Sequence, residues 1–256
     1  MRKLPVALGL ATVFVASFAV AQGGKDQRRS GYQDMAPSLQ RMQDDDAANP
    51  AMQYVQAGEA LWKQKAGGAD KACADCHDAG SMKGVAARYP AIPSGADKPV
   101  DLEGRINLCR TEHQKGAPFA AESEPLLELA AYLALQSRGM PIAPPDEKRL
   151  VAFRTHGEEL FKMRQGQLNL SCANCHDDNA GKKLGGATIP QGHPTGYPAY
   201  RLEWQGLGSL KRRLRNCLIG MRAEPFDQDS PDYVDLELYL MERAKGMTMD
   251  APAVRP

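Results

Sequence analysis

Apolar and polar positions recur along this chain with helical spacing, and they do so twice. Leu126, Leu129, Ala130 and Leu133 share one face of a segment from Glu124 to Gln136, and Val234, Leu238 and Met241 share one between Asp232 and Lys245. Apolar residues three or four apart form the stripe by which an α-helix packs on a core. Neither half shows sustained alternation of β-branched residues, so the pattern predicts helices and no sheet. Met140-Pro141-Ile142-Ala143-Pro144-Pro145 stops the first amphipathic segment, because proline cannot continue a helix and restricts the residue before it. A boundary between two units is expected there, with residues 51–143 in the first and 144–256 in the second. Residues 22–50 are polar and weakly patterned, which predicts an N-terminal arm, either laid over a partner or, as the safer expectation, a disordered tail.

The two units are copies of one plan. Gly58-Glu59-Ala60-Leu61-Trp62-Lys63 begins fifteen residues before Cys73, and Gly157-Glu158-Glu159-Leu160-Phe161-Lys162 begins fifteen before Cys172. Downstream, Arg105-Ile106-Asn107-Leu108-Cys109 matches Arg213-Leu214-Arg215-Asn216-Cys217. Tyr132-Leu133 precedes Gly139-Met140 as Tyr239-Leu240 precedes Gly246-Met247. Self-similarity at fixed spacing marks a repeated structural unit. Each copy reads as a helix, a C-x-x-C-H motif, a loop rich in Gly and Pro, a short helix holding R-x-x-x-C, and a closing helix.

The chain opens with Met1-Arg2-Lys3, an apolar run from Leu4 to Val20, and Ala19-Val20-Ala21. A basic start, an apolar middle and an A-x-A site predict a signal peptide over 1–21, hence export. No later segment is apolar enough to span a bilayer, so no membrane insertion is expected after cleavage. With Lys plus Arg at 32 against Asp plus Glu at 31, the net charge of +1 argues against a dedicated nucleic-acid binder.

Six cysteines in an exported chain ordinarily suggest disulfides. Here Cys73-Ala74-Asp75-Cys76-His77 and Cys172-Ala173-Asn174-Cys175-His176 reassign four of them. In each motif two thiols can form thioethers to haem vinyl groups, and the next residue, His77 or His176, can serve as proximal iron ligand. Two covalently bound haem c groups are therefore expected, on a mainly α fold of two tandem cytochrome c-like domains related by duplication.

The repeat narrows the second iron ligand at each haem to Cys109 or Met140 in the first copy and Cys217 or Met247 in the second. An Arg one helical turn before each cysteine favours thiolate, the form that binds iron. A Cys109–Cys217 disulfide is the competing use of the same residues. Lys211, Arg212, Arg213, Arg215 and Arg222 crowd Cys217, whereas Cys109 has Arg105, Arg110 and Lys115. Guanidinium groups beside a reactive sulfur suit a small sulfur oxyanion, although such a cluster is also what a solvated helix face looks like.

Several stretches resemble the SoxA subunit of the SoxAX cytochromes: Gln165-Gly166-Gln167-Leu168, Ser171 to Asp177, Pro194-Thr195-Gly196-Tyr197-Pro198, Tyr200-Arg201-Leu202, Leu207-Gly208-Ser209-Leu210 to Cys217, and Met221-Arg222-Ala223-Glu224-Pro225. The likeness covers essentially the mature chain and is densest from Phe161 to Met247. It implies a periplasmic L-cysteine S-thiosulfotransferase that couples thiosulfate to a cysteine of a SoxYZ-like carrier and works with a SoxX-like monohaem subunit. It further implies Cys109 as ligand of the first haem, Cys217 as both ligand of the second haem and catalytic cysteine, and Arg213 as the substrate-binding residue. The rival readings are a thiosulfate dehydrogenase making tetrathionate and a dihaem electron carrier without catalysis.

Overall fold

The computed structural model describes residues 26–256; the expected signal peptide and the first residues of the arm lie outside them. In chain order the helices are α1 (Pro37–Asp44), α2 (Ala51–Lys63), α3 (Leu102–Glu112), α4 (Glu124–Leu135), α5 (Val151–Lys162), α6 (Cys172–His176), α7 (Leu210–Gly220) and α8 (Pro231–Arg243). The first unit is organised on α2 against α4, the second on α5 against α8. Gly58 and Gly157 explain why these pairs cross so closely. A Cβ on Gly58 would collide with the carbonyl of Glu128, and one on Gly157 with the carbonyl of Asp235. The repeated glycine therefore serves helix packing, where a bare backbone is required.

The two cysteine-bearing helices, α3 and α7, are started in the same way. The Asp101 carboxylate accepts from the Gly104 amide at 2.7 Å, and the Ser209 hydroxyl accepts from the Arg212 amide at 3.1 Å. Each satisfies an amide that the first helical turn leaves unpaired. The mainly α, duplicated cytochrome c-like fold expected from the pattern is what the chain adopts.

Three features depart from the pattern. First, short strands exist: β1 (Lys183–Leu184), β2 (Ala187–Thr188), β3 (Ala199–Arg201), β4 (Gly206–Gly208) and β5 (Ala253–Arg255). β1 and β2 form a hairpin, while β3 pairs antiparallel with β4 and parallel with β5. Two or three residues are too few to display an alternation, which is why none was legible. Second, the described part of the arm is ordered. Buried Gln43 on α1 accepts from the Val254 amide at 3.1 Å and from Arg255 Nη1 at 2.6 Å, which ties the arm to β5. Its cohesion comes from polar contacts, which a hydropathy pattern does not register. Third, the repeated Gly-Met pairs join the halves. The amides of Gly139 and Ile142 donate to the carbonyls of Met249 and Met247, at 2.8 and 2.9 Å, and the Gly246 amide donates to Ile142 at 2.7 Å. Met241, Ala244, Met249 and Ala251 of the second unit enter the core built on Trp62, Leu127 and Leu133, so the two units share apolar packing.

Candidate functional site

Each unit encloses a cavity lined by its own cysteines. The second cavity, about 720 Å³, is walled by Cys172 and His176 from α6, and by Arg213, Leu214 and Cys217 from α7. Leu160, Phe161, Leu236 and Leu240 make much of the rest. The first cavity, about 390 Å³, is walled by Cys73, Cys76 and His77, by Arg105 and Cys109 from α3, and by Trp62, Leu129 and Leu133. The same aromatic order recurs: Trp62 lies 5.8 Å from the His77 ring and 5.7 Å from Tyr132, and Phe161 lies 6.5 Å from His176 and 5.4 Å from Tyr239, centroid to centroid.

His176 is held for a single use. Its Nδ1 donates to the Pro190 carbonyl at 2.7 Å, leaving Nε2 as the free lone pair. Burial lowers its pKa, which favours the neutral ring that binds a metal. Gly192 runs so close that a Cβ there would lie 3.1 Å from the ring, and its φ of +73° suits glycine alone. Cys175, also on α6, is near enough to Cys217 to feel its charge. Burial pushes the Cys172 thiol up to about 11, with Cys217 adding to the effect. The motif cysteines and Cys217 thus converge on one space, and Cys73 and Cys109 do so in the other unit.

Each copy places its Arg–Cys turn in its own cavity. Burial raises the Cys109 thiol more than Arg105 lowers it, so the arginine alone does not make it a thiolate as the spacing predicted. Arg213 itself is shifted in the second copy. Burial works against its charge, yet Cys217, Tyr197 and Glu203 together hold its pKa above the ordinary value. Arg213 ends in the cavity with Glu203 Oε1 at 3.8 Å as its ion-pair partner.

No two of the six cysteines are joined, so Cys109 and Cys217 form no disulfide; each lines its own cavity. Met140 and Met247 line neither cavity and lie instead at the junction of the halves. Of the free histidines, His113 borders the first cavity and His193 the second, while His156 pairs with buried Asp235 at 2.9 Å. Pattern reasoning missed Tyr89 and Tyr197, which line the two cavities. A signal existed: Tyr89-Pro90-Ala91 and Tyr197-Pro198-Ala199 each begin twenty residues before the helix cysteine. It also missed Arg201, Arg255 and the arm residues Asp34 and Met35, which complete the second wall.

Two thiols and a histidine from one motif, an apolar lining, a fixed imidazole tautomer and a further cysteine fit a covalently attached haem. The fold and these cavities define a c-type cytochrome. The model of the SoxA/TsdA cytochrome c domain matches residues 57–142 and 156–249. L-cysteine S-thiosulfotransferase subunit SoxA of Pseudaminobacter salicylatoxidans is 36% identical over 233 residues, 90% of this chain and 82% of that relative. The subunit of the same name from Paracoccus pantotrophus is 34% identical over 88% of this chain and 78% of its own length. A crystal structure of SoxXA from P. pantotrophus contains a chain that superposes with a TM-score of 0.86 at 33% identity, covering 90% of this chain and 87% of that one. The chain belongs to the SoxA family of L-cysteine S-thiosulfotransferase subunits, which is a family of enzymes, and carries covalently bound haem c.

Proposed function

We propose that this chain holds two haem c groups, one in each cavity, and that it joins thiosulfate oxidatively to a cysteine of a SoxYZ-like carrier in the periplasm, in complex with a SoxX-like monohaem subunit. The observation that carries this reading is the convergence of Arg213, Cys217 and the second haem motif on one cavity. Among the described residues no helix is long and apolar enough to cross a membrane, which agrees with an exported domain.

His77 and Cys109 would bind the iron of the first haem, and His176 and Cys217 that of the second, with Cys73, Cys76, Cys172 and Cys175 as thioether anchors. The haem supplies a one-electron acceptor next to the sulfur chemistry. Arg213 holds the sulfonate end of thiosulfate through charge-assisted hydrogen bonds. Its sulfane sulfur then bonds to the Cys217 sulfur, which gives Cys217–S–S–SO₃⁻ and releases two electrons. The carrier thiolate attacks that sulfane sulfur, the Cys217 thiolate leaves, and the carrier keeps –S–S–SO₃⁻. Overall, thiosulfate and a thiol give the thiosulfonated cysteine, one proton and two electrons, and the electrons pass on to the partner cytochrome.

Product identity tests this reading. Thiosulfate is supplied to the haem-loaded complex with the carrier present, and both carrier mass and free tetrathionate are followed. A carrier cysteine gaining S–SO₃⁻ is the expected result. Tetrathionate with an unmodified carrier would establish the dehydrogenase instead, and no product of either kind would leave an electron carrier.

A further inference from the structure

We propose that Glu203 is a specificity-setting residue beside the second cavity: its carboxylate pairs with Arg201 and Arg213, two cavity-lining cations, so that an anion able to bridge both guanidinium groups competes with it. This rests on the reading of Arg213 as the thiosulfate-binding residue.

The geometry is a single oxygen shared by two cations. Glu203 Oε1 accepts from Arg201 Nε at 2.8 Å and lies 3.8 Å from Arg213 Nη1. Arg201 and Arg213 both line the cavity, with Tyr197 and Cys217. Arg201 has only 11% of its side chain exposed, whereas Glu203 has 47%. The acid is therefore the more exposed member of a pair whose cation lines the cavity. Glu203 sits in the tight turn between β3 and β4, with 47% of its side chain exposed.

The duplication provides an internal control. Counted from the repeated Tyr-Pro-Ala, Arg201 and Glu203 correspond to Pro93 and Gly95 in the first unit. The first cavity keeps its tyrosine, arginine and cysteine without this pair, so the fold does not need it. The pair occurs only where the reaction is placed.

A half-exposed ion pair is weak, so an anion that binds the two guanidinium groups better than one carboxylate can replace it. A monoanion such as chloride brings no more charge than the carboxylate it must replace. Thiosulfate brings two negative charges and three sulfonate oxygens, enough to engage both forks at once.

The test uses the haem-loaded chain with its monohaem partner and the carrier, comparing wild type with Glu203→Gln, which keeps shape and removes charge. KM for thiosulfate is expected to fall about two- to fivefold, the range set by an exposed pair. The change should fall on KM rather than kcat, and chloride should become a competitive inhibitor of the variant at concentrations that spare the wild type. Equilibrium binding of labelled thiosulfate to the oxidised complex gives the same comparison without turnover. Unchanged or higher KM, with wild type still binding thiosulfate, overturns the specificity role alone and assigns Glu203 to holding Arg213. Failure of both proteins to bind thiosulfate overturns the specificity role together with the reading on which it rests.

Discussion

The two cavities are built from one plan and end up chemically unequal. Both have a C-x-x-C-H motif, a cysteine helix, an Arg one turn before the cysteine and a tyrosine from a Tyr-Pro-Ala segment. In the first cavity Pro93 and Gly95 stand where the second unit has Arg201 and Glu203. In the second, Arg201 and Arg213 add a charged wall, with Glu203 paired to both, and the arm and β5 close around it through Asp34, Met35 and Arg255. The lesson is that a haem-binding unit becomes a candidate reaction centre through the loop and terminal segments laid on it, while its helices stay the same. Function concentrates on such segments because a rigid scaffold holds them in place.

Arginine replacement separates the copies most strongly. Arg213→Ala should raise KM for thiosulfate by about 10- to 100-fold, the scale of a lost charged hydrogen bond. Arg105→Ala should change it less than about twofold, within the small effect expected of a group away from the substrate. Equal effects in steady-state kinetics would erase the functional difference between the cavities. Glycine replacement should treat the copies alike. Gly58→Ala and Gly157→Ala each place a methyl group into a facing backbone carbonyl, at a cost of about 1–3 kcal/mol for overpacking, seen as a lower midpoint in denaturant unfolding. A large effect in one unit only would show that the helix pairs are not equivalent.

A pH effect concerns the junction between α3, α7 and α8, where the two units meet outside both haem motifs. Lys211 Nζ lies 3.2 Å from Asp101, and Glu103 and Glu237 crowd the same place. Burial, with Asp101 as the next cause, pushes Glu103 up to about 8 from an ordinary 4.5. The folded chain therefore holds a proton that the unfolded chain has released. The stability this gives is fully present below about pH 4.5 and is lost as pH rises through about 8. Thermal unfolding of the haem-loaded protein should show this decline, and Glu103→Gln should lessen it, with Glu237 keeping the remainder.

Much of this organisation was legible because it repeats. The helices carry a 3.6-residue stripe, the haem motifs are contiguous, and Arg213 and Cys217 share a helix face. What escaped was held together across the chain. Arg201 and Arg213 approach one glutamate only after β3 pairs with β4, and Arg255 reaches the cavity only through β5. Met140 and Met247 recur at matching positions for a reason that spacing alone does not separate from iron ligation: they pair the halves through their backbones. Gln43 anchors the arm with a side-chain amide, which composition reads as solvent-facing.

Turnover by Cys217→Met set beside Cys109→Met, each loaded with haem and assayed for carrier modification by thiosulfate, tests the inequality most directly. The account predicts loss by about 1,000-fold or more for Cys217→Met, the scale of a missing nucleophile, and less than about tenfold for Cys109→Met. Retained turnover in Cys217→Met, or equal loss in both, would contradict it.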